Sequence, residues 1–528
     1  MIGAAAIIAI VFASALAAST GFIALDRGSS GKSSDSSVSS TPTTSSGSTI
    51  IGSSVGTSGT SRSDSTTSSS ASSVTSSSVT GSSSSTSISS TATSSSTPSV
   101  SGDWLTYHGS NSRDGYISIL PNVTSPSVSW NTSVDAPVYA EPLSFNGSVF
   151  VATENNTVYS ISSRTGAVEW SQHLGSPASS LKAPYACQGN HPDIEPTIGI
   201  TGTPVIDPVS GTIYVVAMMN RTGYSLSAIN TTTGQVRWTQ PVAPAGFNFS
   251  IEEQRGALTL ANGMVYIPFG GFSWDCGLPF GWIAALSSND NGTQYSYKVP
   301  SAGEADVWAP EGLSVDGAGF IYAVTADSIS TAPPFDFGES VIKLTPRLSV
   351  VSYFGASNWA YLNSYDLDLD TTGATLLPGN LIFSIGKEGV GYLLNSSDLG
   401  GIGGQVFSSP VCSTGAWGST TFAAGIVYVP CADGLHALSL EPGPQPKFTS
   451  LWNCTGFFAG PPIVAAGAVW TFDIYNGTLI ALNPQTGSVI TKSFGGIGFV
   501  EHFTTPSIGD GLLLFAANET IYALDPSP

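Results

Sequence analysis

The residues best suited to chemistry are three aspartates at alternate positions, Asp366, Asp368 and Asp370. In an extended segment this spacing places three carboxylates on one side and Leu367 and Leu369 on the other. Carboxylate oxygens that converge around a turn suit Ca²⁺, and the Thr-Thr-Gly that follows can form such a turn. No glutamate closes an EF-hand loop, so a leucine-anchored loop with solvated aspartates is the alternative. The three aspartates are therefore a candidate metal site.

Other catalytic patterns are missing from the sequence. The five histidines have no metal-ligand spacing, and no G-x-S-x-G, P-loop or dinucleotide-binding glycine pattern occurs. The five cysteines include neither an adjacent pair nor a C-x-x-C-H haem site. With 15 Lys and Arg against 35 Asp and Glu, the net charge is −20. The chain therefore has no basic patch for nucleic acid.

Four-stranded repeats must position these side chains, and residues 137–175 show the pattern most clearly. Runs rich in Val, Ile, Phe and Tyr are separated there by Asn-Gly, Asn-Asn and Thr-Gly turns. Such turn residues tolerate positive φ and close hairpins. A meander this short does not bury its own faces, so it needs copies of itself as neighbours.

Seven further copies follow along the chain, at 201–242, 256–300, 312–354, 375–407, 419–452, 460–494 and 501–524. The last copy has only three strands, and the isolated strand at 127–134 supplies its fourth. This pairing of the N- and C-terminal strands closes the ring and removes exposed sheet edges. We predict an all-β fold, an eight-bladed β-propeller of four-stranded antiparallel blades. Seven blades remain the alternative if the segment 355–410 is not a proper blade.

The repeat resembles that of pyrroloquinoline-quinone-type β-propellers, in which xVYVxT and xLYALdxxTGxxxW runs alternate with turns. Blades one and two match it best, at Thr165 to Trp170 and Thr233 to Trp238, whereas blade seven keeps Thr486-Gly487 without a tryptophan. The resemblance covers residues 103–528 and implies the fold. The quinoprotein dehydrogenases among these propellers hold a quinone in the central funnel, with a disulfide of adjacent cysteines, a tryptophan floor and Ca²⁺. This chain lacks the adjacent cysteines, which argues against bound pyrroloquinoline quinone.

Charged residues concentrate where the outer strand of one predicted blade crosses to the innermost strand of the next. In propellers these crossings share one face and line the funnel. Because only 9% of the residues are charged, their concentration there predicts a polar, mostly acidic mouth for a cation, a sugar or a peptide. Capping of strand ends is the alternative role. The funnel-face candidates are Asp193, Glu195, Arg255, Trp308, Glu311 and His502.

The cysteines suit an exported protein, in which disulfides persist. Cys412 and Cys431 flank the first hairpin of blade six, so we predict that they pair. Cys187 and Cys276 both fall on the crossing side of the ring and form the second predicted disulfide. Cys454 is left over.

Two segments of different composition precede the propeller. Residues 1–27 contain an uncharged run long enough to span a bilayer. It is either a retained signal anchor or a cleaved signal peptide. Residues 28–102 are almost entirely Ser, Thr and Gly and have no means of forming a core, so we predict a disordered linker. The propeller then occupies residues 103–528.

Asn-x-Ser/Thr sequons follow the linker, most of them at predicted turns, where a glycan would be exposed. Their number predicts a surface covered by sugar rather than charge. Such a surface suits an acidic exterior, in which carboxylates are protonated. The sequons are Asn122, Asn131, Asn146, Asn155, Asn220, Asn230, Asn248, Asn291, Asn395, Asn453, Asn476 and Asn518.

These features predict a non-enzymatic β-propeller at the cell surface or outside the cell, membrane-anchored or secreted, which serves as a binding or scaffold module on a glycosylated stalk. Envelope proteins, glycans or further copies of the chain are the expected partners. No cofactor is expected except Ca²⁺ at the three aspartates. One alternative is an extracellular oxidoreductase that uses pyrroloquinoline quinone. A second is a structural subunit of a surface filament, with the apolar N-terminal helices packed together.

Overall fold

A computed structural model describes residues 102–118, 120–180, 194–220, 222–272, 275, 277–493, 500 and 503–528. The predicted anchor and almost all of the predicted linker lie outside these residues. So do four predicted site residues, Cys187, Asp193, Cys276 and His502. Within the described ranges, no helix is long and apolar enough to cross a membrane.

Eight sheets, each with four main antiparallel strands, follow one another along the chain as blades one to eight. Blades one to four are formed by β2 (Leu143–Phe145), β3 (Ser148–Ala152), β4 (Thr157–Ser162) and β5 (Val168–His173); β8 (Val205–Asp207), β9 (Thr212–Met219), β10 (Gly223–Asn230) and β11 (Val236–Pro241); β13 (Thr259–Ala261), β14 (Met264–Gly271), β15 (Trp282–Ser287) and β16 (Gln294–Lys298); and β17 (Ser314–Val315), β18 (Ile321–Val324), β19 (Ser340–Leu344) and β20 (Val350–Gly355).

Blades five to eight are formed by β21 (Thr375–Leu377), β22 (Leu381–Ile385), β23 (Val390–Asn395) and β25 (Phe407–Pro410); β26 (Thr421–Ala423), β27 (Ile426–Cys431), β28 (Gly434–Glu441) and β29 (Lys447–Thr455); β30 (Ile463–Ala465), β31 (Ala468–Asp473), β32 (Thr478–Leu482) and β33 (Val489–Ser493); and β34 (Ser507–Gly509), β35 (Leu512–Ala517), β36 (Thr520–Asp525) and β1 (Ser127–Ser133). Shorter elements lie between the blades: β6 (Ala178–Ser179), β7 (Thr197–Ile198), β12 (Glu252–Glu253), β24 (Gly401–Ile402) and helix α1 (Trp359–Ser364).

Antiparallel strands give the ring two distinct faces. The turns from the first to the second strand of each blade, such as 146–147 and 424–425, form what we call the hairpin face. The connections from the fourth strand of one blade to the first strand of the next form the opposite, crossing face. Asn146 and Gly147 have φ of 50° and 83°, the left-handed conformations that a tight two-residue hairpin requires. The predicted hairpin turn is therefore confirmed.

Neighbouring blades pack through tryptophans on their outer strands. The Trp130 indole of blade eight lies against Gly166 of blade one, and the Trp452 indole of blade six lies against Gly487 of blade seven. An added Cβ at Gly166 would lie 2.9 Å from the Trp130 ring. Each indole also donates its Nε1–H to a carbonyl of the same turn, at 2.6 Å for Trp130 and Ser163. The contact requires glycine, because any side chain would collide with the ring.

Eight blades are present, and the seven-bladed alternative is wrong. Residues 375–410 form the complete four-stranded blade five. Strand β1 pairs antiparallel with β36, so Ser127–Ser133 is the outer strand of blade eight. Blade eight also contacts blade one directly, because the Ser144 hydroxyl donates to the carbonyl of Ile508 at 2.7 Å.

One predicted disulfide lies in the described residues. Cys412 and Cys431 are bonded, with their Cα atoms 5.4 Å apart. The bond ties the connection before blade six to the end of β27. Cys454, on β29, is a free thiol.

Candidate functional site

The axial channel of the ring is occupied by residues 104–117 of the chain itself. The segment enters at the hairpin face, where the Asn146 amide donates to Asp103 at 3.0 Å. It leaves on the same face, where Tyr116 and Val464 form a β-bridge. We call residues 104–117 the axial segment.

Backbone hydrogen bonds join the axial segment to the innermost strands around the ring. The inner strands of blades one, two, four, five, six and seven each form backbone hydrogen bonds with the segment. Blade three is reached by a side chain, since the Asn111 side-chain amide donates to the Leu260 carbonyl at 3.0 Å. Without the segment, these inner edges would have unpaired N–H and C=O groups. The pairs, from donor to acceptor, are Trp104 to Ser144, Ile206 to Leu105, Val315 to Asn111, Leu376 to Ser112, Phe422 to Asp114 and Val464 to Gly115.

Arg113 places a fully buried guanidinium near the axis. Its Nε donates to the Leu313 carbonyl at 3.2 Å, and one terminal nitrogen donates to the Thr259 hydroxyl at 2.7 Å. The other terminal nitrogen bonds within the axial segment, to Thr106 at 2.8 Å. Burial lowers the pKa of Arg113 to about 10, against the opposing effect of nearby Glu311. The side chain remains charged and links blades three and four to the segment.

His108 and Glu141 lie with Arg113 in a buried group of polar side chains near the axis, which we call the polar centre. Glu141 accepts from the Trp104 indole at 3.0 Å and from the His108 amide at 2.9 Å. The His108 imidazole lies 3.2 Å from the Thr505 hydroxyl and 3.3 Å from the Ser419 hydroxyl. Burial, reinforced by Arg113, lowers the pKa of His108 to about 3. The imidazole is therefore neutral and joins blades six and eight.

Glu311, a predicted funnel-face residue, lies in this centre rather than at an open mouth. It is fully buried and accepts a hydrogen bond from the Ser419 hydroxyl. Burial raises the pKa of Glu311 to about 7, although the Ser419 hydroxyl and Arg113 act in the opposite direction. Its contacts favour the alternative role of fixing a crossing.

Two other predicted residues, Arg255 and Trp308, meet on the crossing face. The Trp308 and Phe503 rings lie 5.9 Å apart, and the Arg255 guanidinium lies over the same phenyl ring at 5.5 Å. Arg255 also pairs with Glu253 at 3.6 Å. Trp308 and Arg255 are half-buried, so both reach the surface. Together they place an indole and a guanidinium at the surface of the crossing face, and their role in binding remains a prediction.

The three spaced aspartates do not share one side of an extended strand. Asp366 has a left-handed φ of 53°, and Leu369–Thr371 form a 3₁₀ turn. Asp370 therefore points inward, where it accepts from the amides of Trp308 at 2.7 Å and Ala309 at 2.9 Å. Its role is to hold the Trp308 loop.

Asp366 and Asp368 instead converge with Asp327, with their carboxylate oxygens within 4.8 Å of one another. The Lys387 ammonium lies among them, bonded to Asp366 and 2.8 Å from Asp368. Burial opposes the charge of Lys387, but the two aspartates raise its pKa on balance. Burial and the neighbouring Asp368 raise the pKa of Asp327 well above its usual range. The Lys387 ammonium and this raised pKa both reduce the negative charge of the cluster, and Ca²⁺ binding there remains a prediction.

The structure also places Glu195, His436 and the sequon asparagines. Glu195 lies beside β7, in the crossing between blades one and two. The strand residue His436 is buried and bonds to the Val411 carbonyl at 2.9 Å, which agrees with a structural imidazole. Every sequon asparagine is exposed or half-buried, nine of the twelve being exposed, and their glycosylation remains a prediction.

A groove of about 530 Å³ opens on the hairpin face between the axial segment and blades four to six. Asp114, which accepts from Ser110 at 2.7 Å, and Tyr116 line one wall, and Asn380 lines another. The sequence alone did not indicate this groove, because its walls come from four separate parts of the chain.

Comparisons with known proteins agree with this architecture. The sequence profile of a family described as outer membrane protein assembly factor BamB matches residues 11–172 and 80–268. No curated protein matches the sequence. Among solved structures, the quinohemoprotein alcohol dehydrogenase ADHIIG from Pseudomonas putida HK5 has a TM-score of 0.62 and 14% identity over 80% of either chain.

Two further structures are similar. A europium-containing methanol dehydrogenase has a TM-score of 0.60 and 14% identity, over 79% of this chain and 89% of its own. BamB from Moraxella catarrhalis has a TM-score of 0.51 and 14% identity, over 76% and 99%. The chain is a β-propeller of pyrroloquinoline-quinone-type repeats. At this identity the solved structures establish the fold of the propeller alone.

Several residues of the propeller's polar sites were missed by reading the sequence. Arg113 and His108 lie in the axial segment, which has no strand periodicity to show that it enters the channel. Lys387 lies in the turn between β22 and β23, which also reaches the crossing face. The signal that could have found Lys387 and Arg113 is the scarcity of cations, since the chain has only 15.

Proposed function

We propose that the propeller is a non-enzymatic binding or scaffold module at the cell surface, held by its N-terminal segments and binding its partner through the crossing face. One observation carries the proposal. The described part of the chain starts at Gly102 and Asp103 on the hairpin face, whereas Arg255, Trp308 and Phe503 lie on the opposite face. The point at which the N-terminal segments join the propeller is therefore on the face opposite to these three side chains.

The axial segment supports a role in binding rather than catalysis. It joins the inner strands around the propeller. Its buried His108 donates its backbone N–H to Glu141, and its buried Arg113 donates to Leu313 and Thr259 of the blades. Such a centre stabilises a rigid ring. Rigid scaffolds that carry exposed loops are well suited to recognition.

Placement outside the cell is supported by the disulfide, the sequons and the two N-terminal segments. The bonded pair Cys412–Cys431 persists best in an oxidising environment. All twelve sequon asparagines are accessible at least in part. The apolar N-terminal segment and the Ser/Thr-rich linker fit an anchor and a stalk. Envelope proteins, glycans and further copies of the chain are the partners that we propose.

The test is binding of the purified full-length chain to isolated cell envelopes of its source organism. Arg255→Ala and Trp308→Ala remove the mouth of the crossing face, and Tyr116→Ala is the matched control, since Tyr116 is 43% exposed on the hairpin face. We expect the first two variants to bind about tenfold more weakly and the control to bind normally. Equal binding by all the variants would refute a role for the crossing face.

A quinone titration tests the enzymatic alternative with the same protein. Pyrroloquinoline quinone and Ca²⁺ are added together, and absorbance and thermal unfolding are followed. We expect neither to change. A saturable absorbance change with a higher melting temperature would overturn the non-enzymatic proposal.

A further inference from the structure

The two most exposed aromatic side chains of the described residues lie side by side on the crossing face. Tyr361 is 53% exposed and Tyr365 is 66% exposed. They are four residues apart at α1, and their ring centroids are 4.7 Å apart. Single exposed aromatic residues are common on protein surfaces, whereas exposed apolar groups that adjoin one another mark binding sites. The contact between the two rings is therefore the informative feature.

The tyrosines stand on a firmly held support. Trp359 and Leu362, on the opposite side of α1, are buried, and the Trp359 ring packs 5.4 Å from Phe335. The Asn363 amide donates to the Ser330 carbonyl at 2.6 Å. The helix is only six residues long, so these contacts rather than its own hydrogen bonds hold it in place. The rings are presented without the entropy cost of ordering a mobile loop.

A hydrogen-bonding pair lies directly beside the tyrosines. Asp366 follows Tyr365, and its side chain is 74% exposed while bonded to Lys387. Asp366 has a left-handed φ of 53°, a conformation that aspartate and asparagine adopt more readily than most residues. The pair offers an exposed carboxylate acceptor and, beside it, an ammonium whose side chain is 16% exposed and which keeps one of its three N–H donors beyond Asp366 and Asp368.

Trp417 is the third aromatic residue near this pair, through its contact with Lys387. The Lys387 ammonium lies 5.6 Å from the centre of the Trp417 ring. Trp417 is half-buried and lies just before blade six. Successive contacts therefore connect two tyrosines, a carboxylate, an ammonium and an indole. Aromatic rings thus stand at both ends of this series of contacts.

This order matches the chemistry of a sugar chain. One face of a pyranose ring carries C–H bonds, which pack on the electron-rich face of an aromatic ring. Neighbouring hydroxyl groups donate to a carboxylate and accept from an ammonium at the same time. Extending the proposed function, on which this step rests, we propose that the crossing face binds an oligosaccharide at Tyr361, Tyr365, Asp366, Lys387 and Trp417.

The test measures binding of defined tetrasaccharides to the full-length chain by calorimetry and by tryptophan fluorescence. The probes are the tetrasaccharides of glucose, mannose, N-acetylglucosamine and galacturonic acid. We expect at least one of them to bind with a Kd below about 1 mM. Tyr365→Ala and Trp417→Ala should weaken that binding about tenfold. The matched control is Tyr475→Ala, because Tyr475 is 44% exposed on the same face but in blade seven.

Asp366→Asn tests the hydrogen-bonding pair without disturbing the backbone, because asparagine tolerates the left-handed conformation. We expect weaker saccharide binding with an unchanged melting temperature. Unchanged affinity in Asp366→Asn, Tyr365→Ala and Trp417→Ala would overturn the assignment of the site.

The outcomes separate this proposal from the proposed function. If no tetrasaccharide binds up to about 10 mM, while envelope binding still depends on Trp308 and Arg255, the saccharide proposal fails and the surface-binding function stands. If the variants of Trp308 and Arg255 leave envelope binding unchanged as well, both fail.

Discussion

The indole of Trp170 on blade one lies against Gly234 in the Thr-Gly turn of blade two, and its Nε1–H donates to the Thr231 carbonyl at 3.0 Å. The tryptophan and the glycine of the repeat therefore meet across a blade boundary rather than within one copy. Trp130 with Gly166 and Trp452 with Gly487 repeat the arrangement. The Thr-Gly-x-x-x-Trp ending thus specifies how blades stack.

Gly234→Ala should lower the free energy of unfolding by about 3 kcal/mol. The new Cβ would lie 2.7 Å from the Trp170 ring, and the residue has a φ of 69°. Gly263→Ala is the matched control, because Gly263 has a φ of 71° with no atom within 4 Å. It should cost only about 1 kcal/mol. Urea unfolding compares the two, and equal losses would show that the indole contact contributes nothing.

Arg113→Met should lower the free energy of unfolding by about 3–5 kcal/mol, because it leaves the buried Glu141 and Glu311 without their cation. Arg237→Met is the control, since that guanidinium is exposed and bonds to the Ser210 carbonyl. It should change stability by less than about 0.5 kcal/mol. A loss in Arg113→Met no larger than in the control would contradict the stabilising role of the axial segment.

Stability should rise as the pH falls from 8 to 5. Burial raises the pKa of Glu252, Glu304 and Glu311 to about 7 and that of Asp275 to about 6. The folded state therefore binds these protons at a higher pH than the unfolded chain does. The stabilisation of the folded state that comes from these protonated groups is fully present below the pKa values that they have in the unfolded chain. It is lost as the pH rises through 6 to 7.

We expect the melting temperature to be roughly 5 °C higher at pH 5 than at pH 8. Differential scanning calorimetry measures it, and Glu311→Gln, which imitates the protonated form, should flatten the profile. A melting temperature that falls with the pH would contradict the assignment. An acid-stabilised propeller also suits the acidic exterior that the sequons and low charge suggested.

Cys412→Ser should cost about 3 kcal/mol, because the bond to Cys431 closes a loop of sequence separation 19. Cys454→Ser is the control, since Cys454 carries a free thiol, and it should leave stability unchanged. Peptide mapping without reductant checks the pairing directly. Recovery of Cys454 bonded to Cys412 or Cys431 would contradict this structure.

Much of the fold was predictable because each blade is local in the sequence. Valine- and isoleucine-rich runs and glycine turns such as Asn146-Gly147 specify hairpins over a few residues, and repetition then requires a ring. The pairing of Cys412 with Cys431 was predictable for the same reason, since one hairpin brings them together.

The sequence by itself determined the repeat and the face on which the connections between blades lie, because these depend on local periodicity and chain direction. The structure decided between eight and seven blades, because it shows that residues 375–410 form a complete blade. Only the tertiary structure decided that Asp370 turns inward while Asp366 and Asp368 share Lys387, since a 3₁₀ turn replaces the extended segment. It also decided that residues 104–117 occupy the axis. The contacts of that segment reach as far along the chain as Val464, and no local pattern records them.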